Sequence, residues 1–495
     1  MSQLKNQIPL FLFTYNFNKK KLIPELFQSK IQEVLPDELS SLFVFGFQEF
    51  CSVLDGSFVE DANRHLIEMN QLLQLTLQEK YNLTSSLQTV SMHIMGSIAM
   101  IILSPFASKF AQVRTATGSC GYYYSSLKGG VGTRLTYYPN GRLDSSKSVE
   151  LSFAVLHLNA FEGEYYYLQR NQSLRDIIRA LDFGDGYGLI KPDNHIFIMG
   201  DLNYRTSKDY HSSSPESQEL LSLQDTSVRV DEATYCKKIE SLVSKYDEFA
   251  QTMRSGEVLQ NFAEPKVRFP PTYKFHVNTA ILNSKRSPSW CDRIVYLSTY
   301  EEIGDDSSGV NLLRMPGSKQ SEQSTLSTTK SKTKTNTNTN TNKNKNQNTN
   351  KNTKAETTTA DSPLELPHVI QYTSIPSLML SDHRPVYLNI VVPFNPPQSI
   401  ISTLSGCLQI LPSGLTFDEG FDNFTQLSRL ENNARVISGP TTIYLKPTRL
   451  DYIKQSLIRP IVDLIIGYGL WTTMTRNGRL CLGLIAIIAW LAYAL

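Results

Sequence analysis

Four apolar runs in this chain end in the same way. LFLF (10–13) leads into Thr14, Tyr15 and Asn16; LFVFGF (42–47) into Gln48 and Glu49; FAVL (153–156) into His157, Leu158 and Asn159; HIFIM (195–199) into Gly200, Asp201, Leu202 and Asn203. A half-exposed strand alternates apolar with polar residues, so runs this continuous belong to strands buried on both faces. Buried strands that terminate in carboxylate, amide and imidazole groups build a ligand site at the edge of a sheet.

Further strand candidates are Ser97 to Leu103, Arg293 to Leu297 and Pro385 to Val392, and helical patterns cover Gln169 to Leu181 and Tyr235 to Arg254. Their alternation defines an α/β class with many sheet segments. Hydrophobic residues at 40% supply a sizeable core, and 23 Phe with 24 Tyr favour sheet over bundle. With 48 Lys and Arg against 46 Asp and Glu, the net charge is only +2. Such a chain lacks the basic field that drives sequence-independent nucleic-acid binding, so no nucleic-acid partner is expected. Its 6 cysteines show no CxxC or CxxH spacing, which excludes a zinc framework and points to a reducing compartment. The apolar stretch Ile8 to Phe13 is too short for a signal-peptide core and contains Pro9, so the sequons at Asn82, Asn171 and Asn423 read as chance matches.

Two segments stand apart from the α/β pattern. Between Ser318 and Asp361 the composition collapses into Lys, Thr and Asn, which cannot bury enough surface to offset its ordering entropy and reads as a disordered surface insertion. Leu480 to Leu495, LCLGLIAIIAWLAYAL, carries no charge and as a helix would reach about 24 Å, enough for a thin bilayer. Arg476 and Arg479 precede it, and Trp471 and Trp490 lie near its ends. The expectation is a C-terminal tail anchor with its positive flank on the cytosolic side. Residues 396–445 show weak periodicity. From Lys446 to Tyr468 apolar residues mix with Lys446, Arg449, Lys454 and Arg459; a plain spacer is favoured over an interfacial helix, because Pro460 would break the latter. The expected organisation is thus a catalytic domain over 1–395 carrying the 318–361 insertion, a linker over 396–479 and an anchor over 480–495.

Several polar residues carry chemistry if they meet. An ionised Glu49 after an apolar strand needs a cation or a metal, though a salt-bridged strand end satisfies it equally. Asp201 and Asn203 in GDLNYR project to one side at i, i+2 spacing; an Asp orients or deprotonates water while an Asn amide donates to developing negative charge, although Asn-rich turns also produce this pattern. Asp382 and His383 in SDHRPVY are adjacent and therefore serve different neighbours. In SPSWCDRIVY, Asp292 stands where a buried carboxylate fixes a His or an Arg. Tyr273 and Lys274 in FPPTYKF, with Lys285 and Arg286, make either a solvated basic loop or a site for a multiply phosphorylated ligand.

Taken together, FGFQE, HLNA, GDLNYR, PPTYK, PSWCDRIVY and SDHRPV, in that order, resemble the inositol polyphosphate 5-phosphatase family of the endonuclease/exonuclease/phosphatase superfamily, over about residues 5 to 395. The resemblance implies a four-layer α/β sandwich, two packed β-sheets flanked by helices, to which a C-terminal transmembrane helix is added here. It implies Mg2+ held by Asn16 and Glu49 with Asp382 near the metal, and Asp201 as the group that activates water. Asn203 would stabilise the phosphorane-like state. His383, oriented by Asp292, would contact the scissile phosphate, with His157 also facing it. Tyr273, Lys274, Lys285, Arg286 and Arg293 would recognise the neighbouring 4-phosphate. One motif departs: the family's G-N-K-G loop reads Ser126, Leu127, Lys128, Gly129, which keeps Lys128 as a phosphate contact but replaces an amide by an apolar side chain.

Nuclease and sphingomyelinase relatives share the QE, D-x-N and S-D-H pieces, and PPTYK with PSWCDR selects the phosphoinositide reading over them. The expectation is a Mg2+-dependent phosphatase, similar to the fungal endoplasmic-reticulum type, that removes the 5-phosphate of phosphatidylinositol 4,5-bisphosphate at the cytosolic face of that membrane, with no obligate protein partner. The competing reading is a catalytically idle tether that binds phosphoinositide through the same pocket.

Overall fold

The computed structural model describes residues 7–83, 87–142, 147–191, 193–206, 214–222, 231–255, 257–259, 262–297, 310–311, 367–394, 407–410, 441–444 and 446–494. The 318–361 insertion and nearly all of 396–445 lie outside the described residues.

The strands are β1 (Gln7–Asn16), β2 (Leu42–Gln48), β3 (Gln88–Met95), β4 (Ile98–Ser104), β5 (Phe110–Ser119), β6 (Gly129–Tyr137), β7 (Val149–His157), β8 (Asn194–Asp201), β9 (Glu264–Pro265), β10 (Asp292–Leu297), β11 (Val310–Asn311), β12 (His368–Ser374) and β13 (Val386–Pro393). One sheet has the order β12-β13-β1-β2-β4-β3 and the other β10-β8-β7-β6-β5, while β9 and β11 pair by themselves. Only β1 with β2 and β7 with β8 run parallel within the two large sheets; their other neighbours are antiparallel.

Residue parity explains why the apolar runs are continuous. In β1, Leu10 and Leu12 point between the sheets, where they join Val44, Met100, Val155 and Met199. Phe11 and Phe13 point the other way and meet helices α1 (Pro24–Val34) and α3 (Val59–Tyr81), which lie on either side of the short α2 (Val53–Ser57), through Phe27, Ile31, Leu66 and Leu73. On the second sheet, Leu156 and Ile198 turn outward to Leu174 and Ile177 of α4 (Glu164–Ala180). The result is the expected four layers, helix, sheet, sheet, helix, and each fully buried Phe or Leu contributes roughly 1.5–3 kcal/mol. Gly46 sits where the sheets approach: a Cβ there would lie 2.6 Å from Val155 Cγ2.

Most of the expected elements keep their place within a residue or two, but the helix expected over Tyr235 to Arg254 is two, Glu232–Tyr246 and Glu248–Arg254. Asp247 divides them because its side chain caps the second helix, accepting from Ala250 N at 2.9 Å.

The segment expected to be a spacer is not one. Thr448 opens a helical stretch with a capping box to Asp451, and it continues through Arg449–Ile453, a π turn at Lys454–Ile458 and the helix Arg459–Met474. Pro460 does not break it, since it occupies the first turn of that last helix, where its missing N–H costs little. Arg179 binds Asp451 through both Nε at 2.7 Å and Nη2 at 2.9 Å, and Tyr468 packs edge-on to Phe58. After Thr475 the terminal helix Arg476–Ala494 follows, long and apolar enough by composition to cross a membrane.

Candidate active site

Strand register brings the chemistry together. β8 lies between β7 and β10, and its last residue, Asp201, is abreast of His157 on one neighbour and Asp292 on the other. The step into Asp201 requires glycine: Gly200 has φ +144°, and a Cβ there would lie 2.0 Å from the Leu156 carbonyl oxygen. From the facing sheet, Asn16 at the end of β1 donates through Nδ2 to Asp201 Oδ2 at 2.8 Å. His157 Nε2 is 3.4 Å from the same oxygen and 3.9 Å from Glu49 Oε1. Lys128, at the turn into β6, reaches inward to meet His157 Nε2. Glu49 and Asn203 both have left-handed backbones, φ 45° and 58°, a cost of order 1–3 kcal/mol for Glu and less for Asn.

On the other side His383 closes the site. Its Nδ1 lies 2.9 Å from Asp292 Oδ2, and that oxygen also accepts from Thr272 Oγ1 at 2.7 Å. Its Nε2 faces Asp201 Oδ2 at 3.9 Å. Burial by itself would depress the imidazole, but the Asp292 and Asp201 charges prevail and raise it to about 9. Burial likewise pushes Asp201 up, yet His383, His157 and Lys128 hold it far below the ordinary carboxylate range. Burial would raise Glu49 as well, and His157, Lys128 and Lys19 outweigh it and lower it. Burial and the Lys128 charge lower His157, and Asp201 and Glu49 pull the other way.

The expected phosphate-recognition residues divide. The Tyr273 ring lies 4.7 Å from that of His383. Lys274 Nζ pairs with Asp382 Oδ2 at 3.0 Å, so these two meet each other rather than standing on separate sides of the site. Arg286 lies 3.9 Å from Glu162, and Lys285 is exposed beside it. Arg293 corrects the sequence expectation. It is fully buried, with Nε bound to Glu264 Oε1 at 2.6 Å and Nη1 to Asp247 Oδ2 at 2.7 Å, so its charge is spent inside the domain and cannot reach a ligand.

Asn203 donates through Nδ2 to the Leu158 carbonyl at 3.1 Å and accepts from Arg205 Nη2 at 2.5 Å. Arg205 was passed over in the sequence. Its guanidinium lies 4.3 Å from the Tyr273 ring centre, and its Nε and Nη1 have no partner among the described residues although the side chain is buried. Two unpaired N–H donors on a buried cation are an unmet hydrogen-bonding demand, of the kind a buried water or an anion satisfies. The residue lies in the same GDLNYR motif as Asp201 and Asn203, but the left-handed turn at Asn203 takes it out of strand alternation, so spacing alone does not reveal it.

Oxygen donors on Glu49, Asn16 and Asp201 suit a hard divalent cation. Asp201, Asp292 and His383 also have ligand atoms within 4.8 Å of one another, but there Asp292 Oδ2 is already taken by His383 and Thr272. On the Glu49 side Asn16 Oδ1 accepts from Asn18 N at 2.8 Å and Glu49 Oε2 lies 3.3 Å from Lys19 Nζ, which leaves Glu49 Oε1 and the Asp201 carboxylate facing the site.

The sequence profile of endonuclease/exonuclease/phosphatase family 2 matches residues 13–308. The chain belongs to that family. Among curated relatives, inositol-1,4,5-trisphosphate 5-phosphatase 1 of Schizosaccharomyces pombe is 27% identical over 304 residues, 60% of this chain and 25% of its own length. Rat (Rattus norvegicus) synaptojanin-2 is 25% identical over 285 residues, 55% of this chain and 16% of its own length. The chain thus spans a quarter or less of these two relatives. Among solved structures, the inositol polyphosphate 5-phosphatase domain of SPsynaptojanin, in complex with inositol (1,4)-bisphosphate and calcium ion, aligns with a TM-score of 0.51 at 22% identity, covering 78% of this chain and 84% of that one. That likeness concerns the fold, and it is the layered fold of this family that the two sheets reproduce.

Proposed function

We propose that this family member is a phosphoinositide 5-phosphatase that hydrolyses the 5-phosphate of phosphatidylinositol 4,5-bisphosphate, with Mg2+ as cofactor, at the cytosolic face of a membrane to which the terminal helix anchors it. The observation that carries this reading is the convergence of Asn16, Glu49, His157, Asp201, Asp292 and His383 on one strand edge, flanked by Arg205, Tyr273 and Lys274. The kinship with named inositol 5-phosphatases supports the substrate class.

Glu49 and Asn16 would hold the Mg2+, which when bound supplies positive charge to polarise the phosphoryl group. Asp201, kept ionised by its neighbours, orients the attacking water through its carboxylate oxygens, and the proton the water sheds passes along it to solvent. As the new P–O bond forms and the bond to the inositol 5-oxygen breaks, negative charge grows on the phosphoryl oxygens. The His383 imidazolium, aimed by Asp292, and the free N–H groups of Arg205 donate to them. The leaving oxygen takes up a proton from solvent water and departs as the inositol hydroxyl. Lys274 exchanges Asp382 for the 4-phosphate, a charge-assisted contact of the kind that discriminates between head groups.

The membrane reading rests on the terminal helix, whose mean hydropathy is 1.5 with almost none of it buried; the endoplasmic reticulum is the membrane favoured by its short apolar length. The function is tested by phosphate release from phosphatidylinositol 4,5-bisphosphate, with the phosphatidylinositol 4-phosphate product resolved from its isomers. Binding without release would establish the idle tether instead.

A further inference from the structure

The juxtamembrane helical segment has the reverse of the polarity found on a surface helix of a water-soluble domain. Asp451, Gln455, Arg459 and Asp463 recur at every fourth position, and all four bind the catalytic domain. Asp451 is held by Arg179 as described, Gln455 Oε1 accepts from Ser119 N at 2.9 Å, and Arg459 Nη1 donates to Thr117 Oγ1 at 2.7 Å. Asp463 Oδ1 accepts from Ser126 N at 2.8 Å, and its other oxygen accepts from the Ser126 hydroxyl. The opposite face carries Leu457, Ile461, Leu464 and Ile465, between 52% and 66% exposed. Water is a poor solvent for such a row, whereas the boundary of a bilayer is a good one.

Two further observations bear on what this segment does. The terminal helix that can cross a membrane begins immediately after Thr475, so the apolar face is continuous with a lipid-seeking element. Ser126 is two residues before Lys128, and Leu127, where the family's loop has an amide, lines one cavity with Val53, Asp463 and Ile466. An apolar side chain at that position has a partner because the helix is docked there.

We propose that the helix Arg459–Met474 lies in the bilayer interface, its apolar row in lipid and its polar row gripping the catalytic domain, and that Asp463 is a positioning residue for the loop that presents Lys128. The anchor and the mouth of the site are then one rigid assembly. The part of this proposal that concerns turnover rests on the phosphatase reading; the part that concerns lipid does not.

The lipid contact is read on the full chain with Ile465→Trp, Trp471→Phe and Trp490→Phe, reconstituted in phosphatidylcholine vesicles brominated either near the head group or near the chain ends. Trp290, fully buried, remains as an unquenched reference. Quenching at position 465 by the shallow bromines is expected; no quenching, or quenching by the deep bromines alone, overturns the interfacial placement. Leu464→Gln with Ile465→Gln should leave turnover of soluble inositol 1,4,5-trisphosphate unchanged and lower turnover of vesicle-borne substrate about tenfold, as effective concentration falls. Equal vesicle turnover overturns the lipid role. Asp463→Ala should lower kcat/KM on the soluble substrate about tenfold, the scale of the two hydrogen bonds it accepts from Ser126, with Asp463→Asn restoring it. Undiminished kcat/KM in Asp463→Ala, or no rescue by Asn, overturns the positioning role. If the parent chain itself turned over neither substrate, the phosphatase reading would fall while the quenching still decided the lipid contact.

Discussion

His383 Nδ1 lies 2.9 Å from Asp292 Oδ2, in a site where both side chains are buried. The pair raises the imidazole from its ordinary 6.5 to about 9, against the pull of burial. Because the folded value is raised, the stability that this pair adds is complete below pH 6.5 and is lost as the pH climbs through about 9. Asp292→Asn should bring the titration of His383 back down toward or below 6.5 in metal-free protein, as followed by the imidazole resonances. It should also reduce turnover by ~10² at neutral pH, since a neutral ring is a weaker donor to phosphate. An unchanged titration would show that Asp292 does not govern His383.

Lys274 pairs with Asp382 at 3.0 Å, and in the proposed complex it changes partner. Lys274→Ala should cost a substrate bearing a 4-phosphate about tenfold to a hundredfold in kcat/KM, from ~1.5–3 kcal/mol for a charge-assisted contact. A substrate without that phosphate should lose much less. Kinetics on the two head groups side by side distinguish recognition from a structural role, which would lower both equally.

Arg205 has two buried N–H groups beside Tyr273 that find no partner among the described residues. Arg205→Lys keeps the charge but not the planar fork, so kcat/KM should fall about tenfold or more while the melting temperature moves little. Turnover and thermal denaturation on the same preparation check this.

Truncation separates the two C-terminal helical parts. A chain ending at Thr475 keeps every docking contact of Asp451, Gln455, Arg459 and Asp463 and should retain its rate on soluble substrate while losing resistance to carbonate extraction from membranes. A chain ending at Pro447 loses those contacts. Its melting temperature should drop by several degrees, at about 2–4 °C per kcal/mol for a domain of this size.

How legible each feature was follows from what surrounds it. β1, β2, β7 and β8 announce themselves because both of their faces are covered, and their polar ends mark the site. β6 does not, although it is equally buried, because GGVGTRLTY fills its place with glycines: a Cβ at Gly130 would lie 2.3 Å from Leu156 Cδ2, and one at Gly132 2.8 Å from Phe183 Cζ. Arg293 was misassigned because nothing near it in sequence reveals Glu264 and Asp247, which arrive from elsewhere in the chain. Arg205 was overlooked for the opposite reason, as its neighbours Asp201 and Asn203 absorbed the whole motif. The juxtamembrane helix reads as a spacer because Pro460 argues for a break, and only the fold shows that this proline falls in the first turn of a helix, where it is tolerated.

The central claim is that Asp201, held between His157, Asn16 and His383, drives attack of water on the 5-phosphate. Its most direct test is phosphate release from phosphatidylinositol 4,5-bisphosphate by the purified full chain and by Asp201→Ala, each with Mg2+ and with EDTA. The parent should yield phosphatidylinositol 4-phosphate only when the metal is present, and the folded variant should be slower by ~10² or more, the scale of a positioned base. Near-normal release by folded Asp201→Ala, or a parent that binds this lipid without releasing phosphate, would contradict the account.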